Sequence, residues 1–173
     1  MRNRNINGVI GLTSVLLWIL VFLPGLTINS QPYREQILQG NVTIHSFLTV
    51  MLTYTISNVA LLCCLAGVIG AATRRITAKP AEQRTLDEKP VFNAVFTGVT
   101  RGFSVYLLLL AGVYAATPDP FSAPTPEQYV RMAGTISLMA FTVNYEPDLF
   151  QTIVGIAASK GKMAGKSVPQ GKP

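Results

Sequence analysis

Histidine occurs once in this 173-residue chain, at His45, and cysteine twice, at the adjacent positions Cys63 and Cys64. A single imidazole cannot supply a bis-histidine haem or a multi-histidine metal site. Adjacent thiols in one apolar run do not readily pair with each other or form a ligand set, so neither a disulfide framework nor a metal centre is expected. Charge is scarce as well. Only 13% of the residues are Asp, Glu, Lys or Arg, and 49% are apolar, with a mean hydropathy of +0.38. That balance is too apolar for a soluble domain of this length. The chain also lacks a phosphate-cradling Gly loop with Lys, a nucleophile elbow and a second histidine to act as a base. No catalytic residue, cofactor, metal or small-molecule substrate is assigned from the sequence, and the chain is read as non-enzymatic.

What the sequence does have is long apolar runs with the charge segregated between them. Four windows, Val9 to Ile28, Val42 to Ala72, Val91 to Ala116 and Val130 to Ala158, each supply the ~20 residues that cross ~30 Å of hydrocarbon at ~1.5 Å per residue. The expected fold is all-α, an integral membrane four-helix bundle with short loops. Residues 1–159 form the four-span transmembrane domain and residues 160–173 a basic cytoplasmic tail. The first window is longer than a signal-peptide core, and Leu23-Pro24-Gly25-Leu26 has no small-x-small cleavage pattern, so it is read as a span that stops at Pro24-Gly25.

Lys and Arg set the orientation. Eleven of the fourteen basic residues precede the first window, lie between the second and third, or follow the fourth. With an even number of crossings these all face one side, which places both termini in the cytoplasm and fits a bacterial inner membrane. The net charge of +6 then reflects topology and attraction to anionic headgroups. Basic residues interleaved with aromatics do not occur outside the windows, so nucleic acid is not an expected partner.

Polar groups inside the windows are the candidate functional residues, because ionisable groups in hydrocarbon are costly and mark function by default. Arg101 lies within the third window, and Glu146 and Asp148 interrupt the fourth around Pro147. Counting back from the flanking lysines at ~1.5 Å per residue brings Asp148 and Arg101 to a similar depth, where they could pair. The alternative for Arg101 is that it snorkels to the headgroups. The fourth helix is expected to be broken or kinked at Glu146-Pro147, with Glu146 as a cap and Pro147 at the first helical position of a following segment.

Thr49, Thr53 and Ser57 recur every four residues and share a face, with Asn58 beside them. These hydroxyls either bond back to their own backbone or form a polar seam toward other helices or water. Ala94, Gly98 and Gly102 form a small-xxx-small ladder that lets another helix approach, from the same chain or a second copy. Ser30-Gln31-Pro32 predicts a short surface helix. Thr125-Pro126-Glu127-Gln128 predicts a capping box that opens the fourth helix.

Two functions follow from this pattern. In the first, copies assemble through the Ala94-Gly98-Gly102 face into a homo-oligomeric channel, lined or gated by Arg101, Glu146, Asp148 and the Thr/Ser row with Asn58. In the second, the same small and charged residues lock the chain as a non-catalytic accessory or assembly subunit into a larger membrane complex. Beyond such copies or subunits, the lipid bilayer is the expected partner.

Overall fold

The computed structural model describes residues 2–79, 82, 85–86, 90–116, 124–149 and 151–152, and among these every regular element is helical. The helices are α1 (Arg2–Thr27), α2 (Gln31–Leu38), α3 (Ile44–Thr53), α4 (Thr55–Thr77), α5 (Val91–Ala116) and α6 (Pro126–Tyr145). Three of them contain stretches long and apolar enough to cross a membrane: Asn5–Thr27, Thr55–Thr77 and Val91–Gly112. The chain is therefore an all-helical protein of membrane-spanning character. Helix α6 has 20 residues, but Glu127, Gln128, Arg131, Thr135, Ser137, Thr142 and Asn144 dilute its apolar content.

Helix α4 is the axis of the fold. It packs against α1, α5 and α6, and the small residues Ala60, Cys63, Ala66, Gly67, Gly70 and Ala71 along it explain how one helix can accommodate three neighbours. Small side chains bring backbones together, and in a membrane such close packing is a main source of helix association. A methyl group built at Gly98 of α5 would lie 2.9 Å from the Gly67 carbonyl oxygen of α4. At Gly67 itself the clash would be with the Gly98 carbonyl, at Gly102 with that of Cys63, and at Gly70 with that of Phe141 in α6. The Gly98 and Gly102 rungs of the ladder are thus covered by α4 of the same chain.

These contacts also set direction. Gly67 faces Gly98 while Cys63 faces Gly102, so α4 and α5 are antiparallel. Asn58 meets Tyr129 while Gly70 meets Phe141, so α4 and α6 are parallel. Asn58 reaches Val21 whereas Ala72 lies against Gly11, which makes α1 antiparallel to both.

Two boundaries differ from the sequence reading. Helix α1 does not stop at Pro24 but carries it internally and runs to Thr27. Within the last turn, a missing N–H and a crowded carbonyl are tolerated more easily than in mid-helix. The second window is not one helix. Tyr54 adopts extended backbone, with φ −72° and ψ 123°, and separates α3 from α4. The fourth helix ends at Tyr145, and Glu146 leaves helical geometry at φ −119° and ψ 89°. Residues 147–149 are again helical, whereas the segment 153–173, which holds the end of the fourth window and the basic tail, lies outside the described residues.

At α6 both arms of the capping box form: the Gln128 N–H donates to Thr125 Oγ1 at 3.3 Å, and the Thr125 N–H donates to Gln128 Oε1 at 3.0 Å. At α2 the Ser30 side chain makes no cap bond; instead the Gln31 N–H donates to Asn29 Oδ1 at 3.0 Å. Helix α2 buries none of its side chains, and Leu38 is 83% exposed. At the opposite end of the molecule, Arg75, only 6% exposed, donates to the Leu86 carbonyl at 2.8 Å. Arg74 Nε donates to Glu82 at 3.1 Å. Two arginines that the sequence offered only as topology signals therefore also fasten the segment after α4.

Candidate functional site

The most densely bonded buried polar group is Asn58, fully enclosed in the first turn of α4. Its amide Nδ2 donates to the Val21 carbonyl of α1 at 2.8 Å and to the Leu52 carbonyl of α3. Leu52 precedes the Tyr54 break, so its carbonyl has lost the helical donor that an unbroken helix would give it. One side chain thus caps α3 and ties it to α1. The Tyr129 hydroxyl of α6, 2% exposed, lies 2.7 Å from Asn58 Oδ1 and 3.2 Å from the Phe22 carbonyl oxygen. Both are acceptors for its one hydrogen, and the shorter contact takes the larger share. Gly25 makes room for this junction: a methyl group there would collide with the Tyr129 hydroxyl and lie 2.8 Å from Asn58 Nδ2. Trp18 and Phe22 stack with ring centroids 5.0 Å apart, Phe22 stacks on Tyr129 at 5.4 Å, and Trp18 Nε1 donates to Ser137 Oγ at 3.1 Å.

Above the junction a cleft of about 670 Å³ opens between the end of α1, helix α2, the α3–α4 break and the start of α6. Its wall includes Gly25, Arg34, Glu35, Tyr54, Pro126 and Tyr129. The Arg34 guanidinium lies over the Tyr54 ring, 4.3 Å from its centroid. Sequence reasoning gave Arg34 no role beyond an outer-loop charge. No local signal pointed to it, because the Tyr54 break that brings this ring to α2 is set by tertiary contacts.

The residues singled out from the sequence are not gathered into one place. Thr53 Oγ1 donates to the Thr49 carbonyl at 2.7 Å, and Ser57 Oγ lies 3.1 Å from the Tyr54 carbonyl and 3.3 Å from that of Val50. Both hydroxyls bond to nearby backbone, Ser57 across the Tyr54 break to α3, and Asn58 is the member of that row that also reaches α1 and α6. Arg101 is half-buried on α5 and has a polar or aromatic partner. Glu146 and Asp148 are exposed beyond the end of α6. The glycine contacts set Arg101 level with Cys64 of α4 and, through α4, with the region of Thr135 on α6. Glu146 is then ~16 Å further along by helical rise, so the two do not share a depth. Asn144, 2% exposed, donates to the Ala140 carbonyl at 2.9 Å, and its Oδ1 has no partner among the described residues. The described residues also contain no group of three or more His, Cys, Asp or Glu placed to hold a metal.

This arrangement can hold helices in register and present a polar cleft at one end. No protein-family model matches the chain, and no curated protein or solved structure is similar to it.

Proposed function

We propose that the chain is a non-catalytic accessory or assembly subunit of a larger membrane complex. It crosses the bilayer four times as a four-helix bundle, with both termini in the cytoplasm of a bacterial cell. The observation that carries this reading is the occupied axis. Helix α4 meets α5 and α6 at backbone distance through Gly67, Gly70, Gly98 and Gly102. A fourth crossing is supported by α6 running parallel to α4 from Tyr129 to Phe141. In this reading the polar groups serve cohesion, as buried side-chain hydrogen bonds do between membrane helices.

The competing reading, a homo-oligomeric channel, draws support from the exposure of Glu146 and Asp148. Carboxylates on an outer surface could line a path between copies. The Gly98 and Gly102 rungs are engaged within the chain, so assembly would need another face. Mass measurement in mild detergent together with planar-bilayer recording separates the two. The subunit reading predicts a monomer when the chain is isolated alone, with no unitary conductance. A closed ring of identical chains with reproducible conductance would reject it.

A further inference from the structure

The cleft described above measures about 670 Å³, inside the ~300–1,000 Å³ span of small-molecule sites. Several polar groups of its lining are already committed to the protein. Thr27 Oγ1 donates to the Leu23 carbonyl at 2.9 Å, Thr53 Oγ1 to that of Thr49 at 2.7 Å, and Asn29 Oδ1 accepts from the Gln31 N–H at 3.0 Å. The Tyr129 hydroxyl is spent on Asn58. Arg34 is different: its guanidinium rests on the face of Tyr54, and its side chain has no hydrogen bond or ion pair among the described residues. Seated over the ring, the guanidinium keeps its N–H groups available, and a guanidinium suits a bidentate oxyanion.

Glu35 lines the same cleft and accepts from Gln31 Nε2 through Oε1 at 3.2 Å, so its second oxygen is available. A bare phosphate at Arg34 would feel this carboxylate as a repulsive neighbour. A ligand that carries its own ammonium group is attracted to both residues.

We infer that the cleft binds a small zwitterion, with an oxyanion on Arg34 and a primary amine on Glu35. Phosphoethanolamine has this chemistry, either as a free molecule or as a lipid headgroup at the membrane boundary. The test uses the full-length protein in maltoside, stripped of lipid, and titrates phosphoethanolamine, ethanolamine and inorganic phosphate by calorimetry. In parallel, the protein is reconstituted in nanodiscs of mixed phosphatidylethanolamine and phosphatidylcholine, and the lipid it retains is weighed by native mass spectrometry. Preferential binding of the phosphoamine probe supports the inference in either arm. Heat from the soluble probe identifies a free ligand, and retained ethanolamine lipid without such heat identifies a headgroup.

Arg34→Gln is expected to weaken binding roughly tenfold or more, the scale of losing a charge-assisted fork. Arg34→Lys, which keeps the charge but not the planar stack, should fall between the two. Glu35→Gln, an exposed change on α2, should shift preference toward inorganic phosphate, and it carries the test alone if Arg34→Gln does not fold. Phosphate bound as tightly as phosphoethanolamine by the wild type, binding unchanged in the variants, or no binding in either arm would overturn the inference.

Discussion

Replacing Tyr129 by Phe removes one oxygen from the junction of α1, α4 and α6 and leaves the ring stacked on Phe22. The oxygen removed donates to Asn58 Oδ1 at 2.7 Å, and Asn58 is fully enclosed. Two estimates of the cost compete. Side-chain hydrogen bonds between membrane helices average ~0.6 kcal/mol and reach ~1.7 kcal/mol, because the unfolded chain in the membrane also finds partners. An acceptor left buried without a donor costs ~1–3 kcal/mol. The second decides here, since Oδ1 has no other donor among the described residues. The expected loss is therefore ~1–2 kcal/mol. The assay is reversible unfolding in mixed micelles followed by the fluorescence of Trp18, the only tryptophan. Asn58→Ala, Tyr129→Phe and the double variant should form a cycle with a coupling of at least ~0.5 kcal/mol. A loss below ~0.3 kcal/mol for Tyr129→Phe, or additive single changes, would refute the reasoning.

Three further outcomes follow from the packing. Gly67→Ala forces a methyl group against the Gly98 carbonyl and should cost ~1–3 kcal/mol, whereas Gly112→Ala, with nothing within 4 Å, should be neutral or stabilising by up to ~1 kcal/mol; equal effects in a thermal melt would contradict the close α4–α5 contact. Thr125→Ala breaks one arm of the α6 capping box and should cost ~1 kcal/mol, seen as faster amide exchange in the first turn of α6. Ser137→Ala removes the acceptor of the Trp18 indole at 3.1 Å and should shift the tryptophan emission to the blue, while an unchanged spectrum would show that α1 and α6 do not meet there.

Helix existence was legible because it depends on local pattern. The window Val91 to Ala116 coincides with α5, and the capping box at Thr125 was readable from spacing alone. The break at Tyr54 was not legible. Thr53-Tyr54-Thr55 contains neither Gly nor Pro, and the break is supported by Asn58 donating to Leu52, an interaction visible only once the chain has folded. The surplus length of the second window was its one outward sign. Asn58 was marked as part of a polar row, yet its partner Tyr129 is 71 residues away and looks like any interfacial tyrosine. The glycine ladder was recognised as a packing face, but spacing cannot say whether the facing helix belongs to the same chain. Pro24-Gly25 misled because Gly25 serves a close approach and not a turn.

The central claim is that α4 and α6 run side by side across one bilayer, with the cleft at one face and Arg74 and Arg75 at the other. Single cysteines at Asn29, Thr125, Lys79 and Glu146, all exposed positions, in a Cys63→Ala and Cys64→Ala background, test it with a membrane-impermeant maleimide. In intact cells freed of any outer barrier, positions 29 and 125 should label at once, and positions 79 and 146 only after permeabilisation. Labelling of 125 and 146 from the same side would contradict it.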